Sequence, residues 1–267
     1  MLPIKEVTSQ LAVQDAVLVT VRATQGSVPR ERGAWMVVFG GRVVGTIGGG
    51  HLELQAIEEA RRRLSSPNGA AVLRFPLGPS LGQCCGGVVH LRFENLSAAD
   101  AVSLPQRLRQ GSTPVALFGG GHVGRAIVNV LGTLPFAVTW IDSRDEIFPG
   151  QVPDNVHCEH SDPVQAAVAD LAPGSRVLVM SFSHAEDLDV VAACLQRLRE
   201  RGDLPYVGLI GSRTKWATFR HRLEERGFRE EELARITCPI GVPGIRGKEP
   251  EVIAVAAAAQ LLQLVLP

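Results

Sequence analysis

Three glycines with the spacing G-x-G-x-x-G, Gly119, Gly121 and Gly124, are the first candidates for chemistry in this sequence. They follow an apolar run at 115–118 and precede a helical pattern at 123–131, the context in which this spacing binds phosphate. Glycines let backbone N–H groups approach a phosphate closely, and the helix N-terminus adds partial positive charge. The alternative is a tight strand-to-helix turn that binds no ligand.

Polar side chains follow the later apolar runs as well. Asp142 comes about twenty residues after the glycine motif, where a ribose or another hydroxyl ligand is held in dinucleotide-binding folds. His184, with Asp187 one turn later, follows a second run, and Arg213 and Lys215 follow a third. Because ligands bind at the carboxyl ends of parallel strands, we expect these residues to share one crevice with the glycines and to suit an anionic ligand. Alternatively, His184 only caps a helix, and the two basic residues are solvated helix charges.

A second glycine run, Gly45-Thr-Ile-Gly-Gly-Gly-His-Leu-Glu53, enters another predicted helix. Consecutive backbone N–H groups can form an anion-binding nest, and three adjacent glycines are entropically costly for a plain turn. Gly49, Gly50 and His51 are therefore candidate ligand contacts. The alternative is a turn that binds nothing.

Two adjacent cysteines, Cys84 and Cys85, lie between glycines in the segment Gly-Gln-Cys-Cys-Gly-Gly. An accessible thiol beside backbone N–H groups has a lowered pKa and acts as a nucleophile or a soft-metal ligand. The pair lacks the C-x-x-C spacing of zinc ribbons and thioredoxins. An incidental pair in a structural loop is the alternative. Of the other cysteines, Cys194 lies on the apolar face of a helix and is expected in the core.

The first third of the chain predicts a strand-rich α+β unit. Its β-prone runs are at 17–21, 35–39, 43–47, 72–75 and 88–93. Gly40 and Gly41 are well suited to a hairpin turn between the second and third runs. Residues 53–64 have apolar side chains at helical spacing. We predict a domain over residues 1–97 and a linker over 98–113.

Residues 114–267 predict an α/β domain with a doubly wound parallel sheet, Rossmann-like in architecture. Continuous apolar runs, typical of strands buried on both faces, occur at 115–118, 137–141, 177–180 and 206–210. Helical patterns separate them, and a last helix is predicted at 250–266. That stretch is too short and too often interrupted by glutamine for a membrane helix.

The composition excludes several classes of protein. Lys and Arg together number 27, as do Asp and Glu, so the 267-residue chain has no broad basic field for nucleic acid or an anionic membrane. Aromatic residues make up only 5%, which disfavours stacking platforms for single-stranded nucleic acid. An odd number of cysteines, five, without a disulfide framework indicates a reducing cytoplasm. No secretory signal pattern is recognised at the N-terminus.

Taken together, these motifs resemble those of the XdhC family, the accessory proteins of xanthine dehydrogenase. Segments that carry the resemblance span nearly the whole chain in family order: 26–30, 45–53, 82–87, 118–124, 208–215 and 238–241. His51 stands where related aerobic-type members carry a cysteine, and this form resembles the branch that serves xanthine dehydrogenase itself.

The resemblance implies a chaperone rather than an enzyme. Such a protein binds molybdenum cofactor (molybdopterin), protects it while a cysteine desulfurase partner installs the sulfido ligand, and delivers it to the molybdenum-binding subunit of xanthine dehydrogenase. Under this interpretation the three motif glycines hold the phosphate, Asp142 and Arg144 read the pterin edge, and Cys85 (or Cys84) shields the metal or handles sulfur. His122 is a further candidate cofactor contact. A cytoplasmic homodimer is expected.

Two other functions remain open. The glycine motif and Asp142 also fit an NAD(P)-dependent oxidoreductase, although the Cys84-Cys85 loop has no evident role in hydride transfer. A pure interaction scaffold with a vestigial Rossmann fold is the third possibility.

Overall fold

A computed structural model describes residues 4–66, 69–78, 86–108 and 112–265. The chain divides into two compact units. The first covers residues 3–111, and the second begins at residue 112. The predicted linker contains a 3-10 turn at Ala98–Asp100 and a short helix whose Leu104 and Leu108 are buried.

The first unit is built on a five-stranded antiparallel sheet with the strand order β3-β2-β1-β5-β4. Its elements are α1 (Ile4–Leu11), β1 (Ala16–Gln25), β2 (Trp35–Val38), β3 (Val43–Gly45), α2 (Gly50–Ser65), β4 (Ala71–Pro76), β5 (Val88–Leu96) and α3 (Leu104–Leu108). The predicted hairpin is confirmed, since β2 and β3 pair with Met36 opposite Gly45. The third strand is two residues shorter than predicted, because the chain turns at Gly45 with a φ of 85°.

Alternation along the strands gives this sheet two different faces. Val17, Val19 and Val21 of β1 pack in a core with Leu52 and Ala56 of α2. The residues between them, beginning with Leu18 and Thr20, project from the opposite face. The sheet is therefore apolar towards α2 and mixed in character on its other side.

The second unit is a six-stranded parallel sheet with the strand order β11-β10-β9-β6-β7-β8. Its elements are β6 (Thr113–Phe118), α4 (His122–Leu131), β7 (Phe136–Asp142), β8 (Val156–His160), β9 (Arg176–Val179), α5 (His184–Glu200), β10 (Tyr206–Leu209), α6 (Arg213–Glu225), α7 (Glu230–Leu233), β11 (Ile236–Thr237) and α8 (Pro250–Gln263). The predicted doubly wound α/β architecture is confirmed.

Helices cover both faces of the parallel sheet, as continuous apolar strands require. Phe118 of β6 belongs to the core that includes Leu188 of α5. Its neighbour Leu117 belongs to the core on the other face, which includes Ile127 of α4 and Leu261 of α8. The last helix therefore packs within the second unit, beside α4.

No helix among the described residues is both long enough and apolar enough to span a bilayer.

Candidate functional site

The candidate site lies where the winding of the parallel sheet reverses. From β6 the chain moves outward through β7 and β8, and it then returns to place β9 on the other side of β6. The loops that follow β6 and β9 thus leave the sheet in opposite directions. In open α/β sheets this switch point is where ligands bind.

Two glycines of the motif are required by packing within the chain. Gly119 has a φ of 122°, and a Cβ atom there would lie 2.0 Å from the carbonyl oxygen of Met180 in the loop after β9. A Cβ atom on Gly124 would lie 2.0 Å from the carbonyl oxygen of Gly119. Glycine at position 119 lets the loop after β6 pack against the loop after β9. Glycine at position 124 lets α4 pack against the loop after β6.

Gly121 differs from them, because packing gives no reason for a glycine there. Its φ of −67° is open to any residue, and a Cβ atom would meet no atom within 4 Å. It is the N-cap of the ten-residue helix α4 and makes no side-chain capping bond. The space beside it therefore lies at the positive end of a helix dipole, where a phosphate is stabilised.

Asp142 closes β7 as predicted and is 1% exposed. Its Oδ2 accepts a hydrogen bond from the N–H of Gly120 at 2.6 Å and another from Nη2 of Arg144 at 2.9 Å. Its Oδ1 accepts from the backbone N–H and the Nε of Arg144, both at 2.9 Å. Burial raises the pKa of this carboxyl, but Arg144 and the two N–H groups outweigh it, so its pKa lies below the usual value.

Arg144 is placed over an aromatic ring at the same edge of the sheet. Its guanidinium carbon lies 4.4 Å from the ring centroid of Phe182, which is 66% exposed. The Phe182 N–H donates to Glu186, and the other carboxylate oxygen of Glu186 accepts from the Ser143 hydroxyl at 2.7 Å. The loops after β7 and β9 are thereby joined around an exposed aromatic face. Phe182 and Glu186 were not predicted as site residues, since motif spacing gives no signal for a stacking surface.

Lys215 is in the crevice, but its ammonium is engaged by the chain itself. Its Nζ donates to Asp187 Oδ2 at 2.6 Å and to the Ile210 carbonyl oxygen at 2.9 Å. Asp187 is buried and also accepts from the N–H of Ser181 at 2.6 Å. This ion pair ties the loop after β9 to the loop after β10, so Lys215 holds the site together rather than presenting a charge to solvent.

Three other candidates lie at helix starts in the second unit. His122, His184 and Arg213 are the first residues of α4, α5 and α6, and all three are exposed. The cap of α5 is Ser183, whose hydroxyl accepts from the Glu186 N–H, so His184 is not the capping residue.

The second glycine run folds around a carboxylate of its own. Oε2 of Glu53 accepts hydrogen bonds from the Thr46 hydroxyl at 2.5 Å, the Ile47 N–H at 2.9 Å and the Gly49 N–H at 3.1 Å. The nest predicted for an external anion is thus filled from within the chain. Gly50 is the first residue of α2 and His51 the second.

The glycine segments of the first unit converge in space. A Cβ atom on Gly87 would lie 2.5 Å from the carbonyl oxygens of Gln25 and Ser27. One on Gly48 would lie 2.6 Å from the Cβ of Pro29. The segments 26–30, 45–53 and 86–87 therefore meet. Cys84 and Cys85 lie outside the described residues.

The three described cysteines are poor nucleophiles. Burial raises the pKa of the Cys158 and Cys238 thiols, and it raises the pKa of Cys194 to about 12. Among the described residues, no group of three or more His, Cys, Asp or Glu side chains could hold a metal ion. The predicted metal contact, Cys85, remains a prediction.

Comparison with known proteins assigns the chain to a family. A family model described as the XdhC Rossmann domain matches residues 115–261, and a model described as the XdhC and CoxI family matches residues 10–76. The chain belongs to the XdhC family. The predicted resemblance is confirmed, and both units carry it.

Two proteins are similar to this XdhC-family chain over most of its length. It is 30% identical over 256 residues to YqeB of Escherichia coli (strain K12), a protein described as uncharacterized. That alignment covers 90% of this chain but 42% of YqeB, so the chain spans less than half of its relative. A crystal structure from Bacillus halodurans, named a xanthine dehydrogenase, has a TM-score of 0.73 and 19% identity. The match covers 99% of this chain and 96% of that one, which shows a shared fold.

Proposed function

We propose that this XdhC-family protein binds molybdenum cofactor, protects it during sulfuration and delivers it to apo-xanthine dehydrogenase. Family membership supports a role in xanthine dehydrogenase maturation, and so does the name carried by the Bacillus halodurans protein. The finer assignment to cofactor binding depends on the geometry of the site.

The observation that carries the proposal is the open space at Gly121. The molybdopterin tail ends in a phosphate, and the uncapped N-terminus of α4 offers it N–H groups and a favourable dipole. Because Gly121 has neither positive φ nor a close neighbour, the close approach of a ligand is the physical reason for a glycine there.

Other residues of the second unit would orient the cofactor. Phe182 offers an exposed ring on which a flat pterin can stack, and Arg144 stands over that ring with donors for a polar edge. Asp142 acts through Arg144 as a positioning residue, since its four hydrogen bonds leave no acceptor site for the ligand. His122, His184 and Arg213, the first residues of α4, α5 and α6, would add hydrogen-bond donors for the cofactor.

The chemistry at the metal end is assigned to the first unit. A thiolate is a good ligand for a soft metal centre, and we propose that Cys85 shields the molybdenum while sulfur is installed. The remaining parts of the proposal are a cysteine desulfurase as sulfur source, a homodimeric state, a cytoplasmic location and no catalytic turnover. Gly50 and His51 are proposed as further cofactor contacts, whereas the N–H of Gly49 already donates to Glu53.

The decisive experiment is pterin and molybdenum analysis of the protein purified from cells that make the cofactor. Gly121→Asp places a carboxylate where the phosphate would lie and should lower bound pterin at least tenfold. Gly150→Asp is a matched control, because Gly150 is also exposed and has no neighbour within 4 Å of an added Cβ. Wild-type protein free of pterin, or equal loss in both variants, would overturn the proposal.

An NAD(P)-dependent oxidoreductase is the second candidate, favoured by the glycine spacing at the switch point. It requires an acidic side chain at the end of β7 to accept from a ribose hydroxyl. Asp142 is in that position, but a ribose would have to displace Arg144 from it. Titration with NADH and NADPH, followed by nicotinamide fluorescence, separates the two functions.

A scaffold without a ligand is the third candidate. It predicts that Gly121→Asp leaves the binding of xanthine dehydrogenase unchanged and that no pterin is bound by either form. A pull-down with the purified partner, run beside the pterin analysis, tests it.

A further inference from the structure

The first unit carries a cavity of about 410 Å³ on the sheet face that points away from α2. Four arginines from separate parts of the chain line it: Arg22, Arg32, Arg92 and Arg107. We call the cavity that these four residues line the arginine cleft.

Strand pairing forms the floor of the arginine cleft. Thr20 of β1 is paired with Trp35 of β2 on one side and with Arg92 of β5 on the other. Since Val19 and Val21 point into the core with α2, these three side chains project to the opposite face. Trp35 is partly buried and lines the cavity. Part of its ring system packs against Gly45.

A bulge and a helix supply the rim. The register between β1 and β5 shifts between Val21 and Ala23, so Arg22 is the extra residue of a β-bulge. Bulges re-aim a side chain relative to its strand. Arg107 comes from α3, which lies after β5 in sequence.

The charges of the arginine cleft are unbalanced. Nη2 of Arg92 and Nη2 of Arg107 each donate to the same oxygen, Oε1 of Glu94, at 3.0 Å. The guanidinium groups of Arg22 and Arg32 have no hydrogen bond or ion pair with any other described residue. Four guanidinium groups thus line the cavity with one carboxylate, an excess of three positive charges.

A second carboxylate near the rim does not remove this excess. Asp100 lies 3.9 Å from Nη1 of Arg107, which still leaves two guanidinium groups without an acidic partner. Because arginine keeps its charge at all physiological pH values, the imbalance persists in the folded protein. This surface is therefore electrostatically suited to an anionic ligand.

We propose that the arginine cleft binds a small phosphorylated ligand, with Arg22 and Arg32 as the main phosphate contacts. Guanidinium forks match the geometry of phosphate oxygens, and Trp35 offers an apolar surface for the organic part. The volume is within the range of small-molecule sites. This site is formed by the first unit alone, so it stands independently of the phosphate site at Gly121.

The test uses the full-length protein, with inorganic pyrophosphate as the probe in a buffer of low ionic strength. Binding is measured by isothermal titration calorimetry and by the indole N–H signals of the tryptophans in nuclear magnetic resonance spectra. Trp35→Phe assigns the signal of the cleft. Trp140 donates its indole N–H to the Gly119 carbonyl at 2.9 Å, so its signal reports on the glycine turn separately.

Pyrophosphate should shift the Trp35 signal in wild type and in Gly121→Asp. Arg22→Ala/Arg32→Ala should weaken this binding by roughly tenfold for each arginine removed. The control is Arg61→Ala/Arg62→Ala, which removes the same charge from two exposed positions of α2 and should change affinity by less than about twofold.

Three results would overturn the proposal. The first is a Trp35 signal that does not respond to pyrophosphate. The second is unchanged affinity in the folded Arg22→Ala/Arg32→Ala variant, and the third is equal weakening in the control. A response confined to Trp140 would refute the cleft while supporting the turn, so the two sites can fail independently.

Discussion

The carboxylate of Asp142 accepts a 2.6 Å hydrogen bond from the N–H of Gly120, joining the end of β7 to the glycine turn after β6. This bond takes one N–H of the turn away from any ligand while fixing the position of the next residue, Gly121. Asp142 therefore fixes the backbone of the turn that carries the proposed phosphate site. We therefore expect loop stability to depend on Gly119, which is packed against Met180, and ligand binding to depend on Gly121, which has open space beside it.

Substitutions at Gly119 and Gly121 should separate stability from binding. Gly119→Ala places a Cβ atom 2.0 Å from the Met180 oxygen at positive φ and should cost roughly 2 kcal/mol or more in unfolding free energy. Gly121→Ala should cost less than about 1 kcal/mol, since alanine is only a poorer N-cap than glycine, but should reduce pterin retention. Wild-type retention in Gly121→Ala would contradict a phosphate site at this turn.

Acid stability should depend on Asp142. Because its folded pKa lies below the ordinary value of 3.8, the folded state binds this proton less tightly than the unfolded chain. The stabilisation is therefore present above about pH 4 and is lost as the pH falls through the folded pKa. Asp142→Asn should cost about 1–3 kcal/mol at pH 7 and flatten the stability profile below pH 4.

The control for this change is Asp145→Asn, since Asp145 has 84% of its side chain exposed. Urea unfolding between pH 3 and pH 7 should leave its profile parallel to that of wild type. If Asp142→Asn lost stability below pH 4 as steeply as wild type does, the acid sensitivity would belong to another carboxylate.

The Lys215–Asp187 pair should behave as a structural ion pair. Lys215→Met leaves the buried Asp187 carboxylate without its cation and should cost about 3–5 kcal/mol. Adding Asp187→Asn should recover part of that loss, which a double-mutant cycle measures as coupling. Arg213→Ala removes an exposed cation nearby and should change stability by less than about 0.5 kcal/mol. Equal stability losses at positions 213 and 215 would contradict this distinction.

The sequence predicted the second unit more fully than the first. Long apolar runs separated by helices identify a parallel sheet, and the glycine motif marks its switch point. Missed elements have weaker patterns: β8 carries the polar run Val156–His160, and β11 has only two residues. α1 was also not predicted, although Ile4, Val7 and Leu11 have helical spacing.

Site residues were predictable by position but not by partner. Spacing placed Asp142 and Lys215 at the correct edge of the sheet. Spacing could not show that Asp142 is paired with Arg144 and Lys215 with Asp187, because such pairing depends on side-chain directions in loops. The same limitation explains the glycine run at 45–53, where Glu53 fills the predicted nest.

Phe182 should matter for binding and not for folding. Its ring is 66% exposed and lies against Arg144, so Phe182→Ala removes little buried area. Stacking of a flat heterocycle on an aromatic ring contributes about 1–3 kcal/mol, which predicts at least a fivefold loss in pterin retention. Phe182→Tyr should retain the cofactor. A loss in both variants would indicate that the ring face is not the contact.

Cys85 should be the thiol on which cofactor handling depends. The thiols of Cys158, Cys194 and Cys238 have raised pKa values through burial, so at pH 7.5 they should react slowly with iodoacetamide. Mass spectrometry after brief alkylation is expected to find label at the Cys84-Cys85 pair first. Cys85→Ala should then lower the activation of apo-xanthine dehydrogenase by the loaded protein.

Cys158→Ala is the matched control for this experiment, because it removes a half-buried thiol from the second unit. Cys84→Ala separates the two adjacent sulfurs. If Cys85→Ala activates the apo-enzyme as well as Cys158→Ala does, the molybdenum end of the cofactor is held by other groups. The proposed phosphate site at Gly121 would stand in that case, since the features that support it are the N-terminus of α4 and the open space beside Gly121.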